Sequence, residues 1–143
     1  MDIDALRVQH NELAELAHQL LAVIAREQPQ KVAALRWRLA RLLIAHLSVE
    51  DRYLYPAMIA QAGPAMPVAE RFRGEMGGLA KEFTAYLRRW TDQDIARQWA
   101  IFREDTQRLL NALTDRIRRE NEELYPRAPV GWRGVGAAVA NAA

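Results

Sequence analysis

The chain has 143 residues and a formal net charge of +2, half of its residues are hydrophobic, and none is cysteine. This length predicts a single domain with its own core, and the lack of cysteine excludes disulfide bridges and thiolate metal ligands. A bound metal would depend on His, Asp and Glu, which favours iron, manganese or zinc. We expect a soluble cytoplasmic protein, because the chain shows no signal peptide and no apolar run of about 18 residues that could span a membrane.

Apolar residues recur at three- and four-residue spacing along most of the chain, which is the pattern of amphipathic helices. The pattern is interrupted at Pro29, in the Gly- and Pro-rich segment 63–67, and before the acidic segment 92–94. Proline disfavours helical geometry in the residue before it, and Asp is a good helix cap. The predicted helices cover residues 2–26, 30–60, 68–90 and 92–124. Four helices with short connections predict an all-α, antiparallel up-down-up-down bundle.

We expect the bundle to span residues 1–128 and to be followed by a loosely packed tail at 129–143. The tail is rich in small residues, and only Trp132 offers an apolar anchor. Gly77 and Gly78 should weaken or bend the third helix, because glycine is a poor helix former.

The most informative stretch is 46–56, where His46 and Glu50 are four residues apart in the second predicted helix. Both fall on its apolar stripe, so the imidazole and the carboxylate should point together into the core. Helical bundles build interior metal sites from such side chains. A buried His–Glu hydrogen-bonded pair without metal has the same spacing, so this pattern alone leaves both interpretations open.

The end of the second predicted helix is repeated at the end of the fourth. Residues 50–56, Glu-Asp-Arg-Tyr-Leu-Tyr-Pro, match residues 120–126, Glu-Asn-Glu-Glu-Leu-Tyr-Pro, at an offset of 70. The first and third helices also align, with His10 matched to Met76. The chain therefore consists of two similar helix hairpins, whose inward positions should meet as two half-sites near the bundle axis.

These motifs resemble the hemerythrin-like, or HHE cation-binding, family over nearly the whole chain, from His10 to Pro126. The resemblance implies a four-helix bundle that holds two irons, bridged by an oxygen and two carboxylates, and that binds oxygen or senses oxygen or the redox state. Residue by residue, it implies that His10 and His46 hold one iron and that Glu50 and Glu120 are the bridging carboxylates.

The ligands that the resemblance implies for the other iron are missing. Where the family has two histidines in the third helix, this chain has Met76 and Ala80, and where it has a histidine in the fourth helix, this chain has Arg116. We therefore expect at most one metal ion and no reversible oxygen binding. Two inward carboxylates need a compensating positive charge, and Arg116, one turn before Glu120, could supply it. On helix spacing alone, Arg116 could instead extend into solvent.

Three functions follow from this pattern. The first is a binding, sensing or regulatory module with one iron or another divalent ion such as manganese or zinc. The second is a metal-free scaffold or protein-interaction module in which Arg116 replaces the lost iron. The third, less favoured, is a mononuclear non-haem metal enzyme; because no substrate pocket is indicated, we expect no enzymatic activity.

The remaining side chains indicate no other function. We expect no nucleic-acid or membrane partner, because the arginine clusters are interleaved with acidic residues and no stacking platform is visible. A protein partner or a homodimer is left open. We predict His18 on the surface, and Tyr55 and Tyr125 packed at the end of the bundle with their hydroxyl groups hydrogen-bonded.

Overall fold

A computed structural model of the chain describes residues 1–61 and 63–134. These residues form helices and connecting turns without any strand, which confirms the all-α prediction. The α-helices are α1 (Ile3–Ala25), α2 (Pro29–Val49), α3 (Tyr55–Ala60), α4 (Ala65–Met76), α5 (Leu79–Arg89), α6 (Asp92–Arg97) and α7 (Trp99–Arg119). A π-helical turn, Glu50–Leu54, joins α2 to α3, and a second one, Glu120–Leu124, follows α7 and leads into the 3₁₀ turn Tyr125–Arg127.

The first hairpin begins and turns where the sequence indicates. Asp2 Oδ1 accepts a hydrogen bond from the Ala5 N–H at 2.9 Å and so caps the start of α1, as expected for Asp at an N-cap. Pro29 is the first residue of α2, a position where the missing N–H costs nothing. α1 packs along α2, and both also contact the second half of the chain.

The third predicted helix is two helices in the structure, with the break at Gly77 and Gly78. A Cβ atom at Gly77 would lie 2.3 Å from the Arg73 carbonyl oxygen, so only glycine allows the chain to turn so tightly here. The third predicted helix is therefore not only weakened here, as predicted, but completely interrupted. Its start also differs from the prediction, since α4 begins at Ala65, ahead of Pro67.

The fourth predicted helix is also interrupted. The short α6 is capped by Thr91, whose Oγ1 accepts from the Asp94 N–H at 3.2 Å, so the cap is Thr91 and not the acidic segment after it. Gln98, with φ −128° and ψ 48°, separates α6 from α7. No glycine or proline marks this break, so the sequence pattern did not reveal it.

The core consists of two apolar clusters with a polar layer between them. Along α1, Leu6 belongs to the smaller cluster and Leu13 to the larger one, and His10 lies between them in sequence. In the same way, Glu120 lies between Ile117 of the larger cluster and Leu124 of the smaller one. α1 contacts α2 and α7, and α5 contacts α2 and α7. The helices therefore enclose a layer in which charged side chains are removed from water.

The start of the predicted tail is in contact with the domain. Trp132 is partly buried against the smaller apolar cluster, and the Gly134 N–H donates to the Met1 carbonyl oxygen at 2.7 Å. The rest of the predicted tail, 135–143, lies outside the described residues. Within the described part of the chain, no helix combines the length and hydropathy that crossing a membrane requires.

Candidate metal centre

The structure brings His10, His46, Glu50 and Glu120 together in the polar layer of the core. Each side chain is at most 1% exposed, and one potential ligand atom from each lies within 4.8 Å of those of the others. His10 comes from α1 and His46 from α2, whereas each glutamate is the first residue of a π-helical turn. Two imidazoles and two carboxylates form a donor set that suits iron, manganese or zinc.

Both imidazole rings are oriented by amide side chains. His10 Nδ1 lies 2.8 Å from Asn121 Oδ1, and His46 Nδ1 lies 2.7 Å from Gln9 Oε1. An amide oxygen only accepts hydrogen bonds, so each Nδ1 carries the proton and each Nε2 is left with a lone pair when the ring is neutral. This is the tautomer that presents Nε2 to a metal, with the outer nitrogen held by a second residue.

The two Nε2 atoms face the carboxylates. His10 Nε2 lies 3.2 Å from Glu120 Oε1, and His46 Nε2 lies 3.1 Å from Glu50 Oε1. His46 Nε2 is nevertheless buried without a hydrogen-bond partner. A nitrogen lone pair that faces a carboxylate oxygen is stabilised only when a proton or a metal ion lies between them. The residues present therefore fit a single metal ion.

The π-helical turns explain how one short repeat brings a glutamate and a tyrosine to the same place. Residues five apart lie about 140° apart around an α-helix. In the π turns the Tyr55 N–H donates to the Glu50 carbonyl oxygen, and the Tyr125 N–H to that of Glu120, so residue i+5 stacks on residue i. Proline at the next position, as in Pro56, would clash with the carbonyl four residues earlier in a regular α-helix, which favours the wider turn.

The two tyrosines bind the glutamates reciprocally. Tyr55 donates its hydroxyl proton to Glu120 Oε2 at 2.7 Å, and Tyr125 donates to Glu50 Oε2 at 2.5 Å. Burial and the nearby glutamate charges raise the pKa of both tyrosines, so they remain neutral donors. Tyr125 Oη also lies 3.0 Å from His10 Nε2. The hydroxyl groups are hydrogen-bonded as predicted, but their acceptors are the candidate ligands, and nothing in the sequence pattern indicates this pairing.

Arg116 lies in the core and contacts both candidate carboxylates. Its Nε donates to Glu120 Oε2 at 3.0 Å, and its Nη2 donates to Glu50 Oε1 at 3.3 Å and to Asp51 Oδ1 at 2.8 Å. Its Nη1 donates to the Met76 carbonyl oxygen at 3.1 Å, a group that is free because α4 ends there. Arg116 is 1% exposed, so the orientation towards solvent is excluded.

The other positions of the missing half-site carry apolar side chains. Met76 is partly buried against the smaller apolar cluster, and Ala80 packs against the larger one. Neither side chain offers a nitrogen ligand. His18, the one histidine of the chain outside this cluster, is exposed on α1 as predicted.

The carboxylates carry their charge unequally. Burial disfavours ionisation of Glu50, but the neighbouring His46 and Arg116 outweigh it and lower its pKa. Burial and the charge of Glu50 raise the pKa of Glu120. Burial works against protonation of His10, but its contacts with Glu120 and Glu50 prevail and raise its pKa. In the absence of a metal, a proton shared within this cluster compensates part of the negative charge.

An all-helical domain with two imidazoles and two carboxylates buried between its helices has the arrangement that helical bundles use for metal sites in their core. The family model described as "Hemerythrin HHE cation binding domain" matches residues 1–128. The chain therefore belongs to the hemerythrin HHE cation-binding family. Comparison with curated proteins and with solved structures gives no match.

Proposed function

We propose that this domain binds a single divalent metal ion, held by His10, His46, Glu50 and Glu120, and acts as a binding or sensing module. The observation that carries the proposal is the orientation of the two imidazoles, with each Nδ1 on an amide oxygen and each Nε2 towards a carboxylate. A metal ion would supply the positive charge that these lone pairs and carboxylates require. Iron, manganese and zinc all suit the donor set.

A second metal ion and reversible oxygen binding are not part of this function. The Arg116 guanidinium fills hydrogen-bonding positions on both glutamates: its Nε binds Glu120 Oε2, and its Nη2 binds Glu50 Oε1, the oxygen that also faces His46 Nε2. Met76 and Ala80 supply no nitrogen ligand for a second ion. A permanent cation in direct contact with the carboxylates repels a second metal ion.

We also propose a binding role without catalysis, because each candidate ligand is at most 1% exposed and no ligand atom faces bulk water. We further infer an antiparallel four-helix arrangement. In it, α1 and α2 form one hairpin, and the other hairpin consists of α4 with α5 and of α6 with α7. The contacts of α1 and α5 with both α2 and α7 support this arrangement.

The test is the metal content of protein that is purified without chelators, loaded separately with Fe(II), Mn(II) or Zn(II), and desalted. About one ion per chain should remain in the wild type and in the His18→Ala variant, which removes the exposed histidine. The His46→Ala variant should retain none while keeping its helical circular dichroism. Two irons per chain, or the near-ultraviolet bands of an oxygen-bridged di-iron centre, would contradict the proposal.

The metal-free scaffold is the second candidate, and one feature favours it. Tyr125 Oη lies between His10 Nε2 and Glu50 Oε2, with distances of 3.0 and 2.5 Å, and Arg116 bonds both glutamates. The network thus links most of its polar atoms without an ion. Wild-type protein that retains no metal under any loading condition would select this candidate.

A further inference from the structure

The outer surface of α2 exposes two large apolar side chains on one side of the helix. Trp37 is 64% exposed and Ile44 is 42% exposed. Residues seven apart lie within about 20° of each other around an α-helix, so both side chains project from the same surface. Ala33 is also exposed, one turn before Trp37. Exposed aromatic and aliphatic side chains that adjoin each other commonly mark interaction sites.

A surface cleft of about 320 Å³ lies beside Trp37, between α2 and the end of α5. Its lining consists of Ala33, Arg36, Trp37, Leu87 and Asp92. We call it the Trp37 cleft.

Arg36, which lines the Trp37 cleft, has a hydrogen-bond donor without a partner. Arg36 Nη1 is buried and has no hydrogen-bond partner, and the Arg36 guanidinium lies 5.8 Å from the centre of the Tyr86 ring. A buried donor without an acceptor costs free energy. A carboxylate that entered the cleft would meet the Arg36 guanidinium and could form a charge-assisted hydrogen bond with it.

All charged side chains of α2 are basic. Within Pro29–Val49 the charged side chains are Lys31, Arg36, Arg38 and Arg41, and the helix contains no acidic residue. A second copy of the same surface would bring like charges together, which opposes self-association there. Asp92, on the α6 side, is the acidic exception in the lining of the cleft. The α2 side of the cleft therefore favours an acidic occupant.

A long polyanion fits this surface less well than a short acidic segment. The neighbouring helix α1 exposes Asp4, Glu12 and Glu15, so a nucleic-acid backbone or an anionic membrane extending across both helices would meet carboxylates. A short peptide segment would contact α2 and the end of α5 without reaching α1.

We propose that the Trp37 cleft docks a short acidic segment of a partner protein. A carboxylate of the segment binds Arg36, and a neighbouring apolar side chain packs against Trp37 and Ile44. This interaction surface is independent of the metal centre, because none of its residues contributes to that cluster.

The probe is a short blocked peptide in which leucine alternates with glutamate, titrated into ¹⁵N-labelled full-length protein and followed by amide chemical shifts. Saturable shifts should map to α2 and to the end of α5. A peptide with glutamine in place of glutamate should bind about tenfold more weakly or worse, since it lacks the charge-assisted bond. Arg36→Gln and Trp37→Ala should each weaken binding to a similar degree.

Matched controls use exposed residues outside the cleft. Arg103→Gln removes an exposed arginine on α7, and Ile101→Ala removes an exposed apolar side chain there; both should bind like the wild type. Circular dichroism checks that every variant is folded.

Four results would overturn the proposal. The first two are the lack of saturable shifts at the cleft and equal binding of the glutamine peptide. The third is tighter binding of a DNA duplex or of phosphatidylserine vesicles at the same amides. The fourth is a concentration-dependent dimer that Trp37→Ala abolishes. The last result would assign the surface to a second copy of the chain.

Discussion

Replacing Arg116 by alanine tests directly whether this side chain is the cation that balances the buried carboxylates. The change removes the hydrogen bonds to Glu50, Glu120 and Asp51 and the bond to the Met76 carbonyl oxygen. Both glutamates are at most 1% exposed, so they cannot recover the loss by hydration. Removing one partner of a buried ion pair costs roughly 3–5 kcal/mol, which is a large part of the roughly 5–15 kcal/mol that stabilises a domain.

The assay is urea-induced unfolding of metal-free protein, analysed by linear extrapolation. Arg118→Ala serves as the control: Arg118 is on the same helix but 56% exposed, with surface partners only, so the unfolding midpoint should stay unchanged. Combining Arg116→Ala with Glu120→Gln should cost less than the sum of the single changes, because the double variant no longer buries that unpaired charge.

A metal ion should partly compensate for the loss of Arg116. An ion at about 100 times its dissociation constant adds about 2.7 kcal/mol to the free energy of unfolding. The charge-replacement explanation fails if Arg116→Ala unfolds at the wild-type midpoint, or if the double variant shows simple additivity.

Two further predictions concern the second half of the chain. Gly77→Ala should destabilise the domain by roughly 1–3 kcal/mol, because its Cβ would lie 2.3 Å from the Arg73 carbonyl oxygen. Gly78→Ala, where the added Cβ meets no atom within 4 Å, should not destabilise it; both variants are measured in the same urea-induced unfolding assay. Although partial burial acts against ionisation, the hydrogen bond from Trp90 Nε1, at 2.7 Å, contributes to lowering the pKa of Asp105. A carboxylate whose pKa is lowered in the folded state stabilises the folded protein at pH values above the ordinary Asp pKa of about 4. This stabilisation is lost as the pH falls through the pKa of the folded state. Asp105→Asn should therefore cost about 1 kcal/mol at pH 7, and the difference from wild type should close below about pH 4; a difference independent of pH would contradict the assignment.

The helical class could be predicted because apolar periodicity and the strong breaks are local properties. Pro29 and the segment 63–67 are marked by proline and glycine, and the structure begins α2 at Pro29. The break at Gln98 could not be predicted, because its residue type favours no particular conformation. The π-helical turns escaped prediction for a related reason, since hydrophobic periodicity describes regular helices and an inserted residue shifts the inward face after it.

The candidate ligands could be proposed because they lie on inward stripes and in a repeat. The residues that orient them could not. Gln9 and Asn121 are ordinary polar residues in sequence, and only the packing of α1 against α2 and the end of α7 brings them to the outer nitrogens of the histidines. Asp51 was missed for the same reason, because it follows Glu50 off the inward stripe and reaches Arg116 from the rim of the site.

The charges of the cluster provide an independent reason to expect one metal ion. Arg116 lies within 3.3 Å of carboxylate oxygens of Glu50, Glu120 and Asp51. One divalent ion together with the guanidinium balances these three carboxylates, of which Glu50 and Glu120 are buried and Asp51 is 32% exposed at the rim. A second divalent ion would leave excess positive charge in a layer that is shielded from water, where uncompensated charge is costly. Without any ion the layer is negative, and a proton near His10 compensates only part of that charge. Because Arg116 remains charged at any physiological pH, we expect its charge to disfavour a second metal ion for as long as this arginine is present.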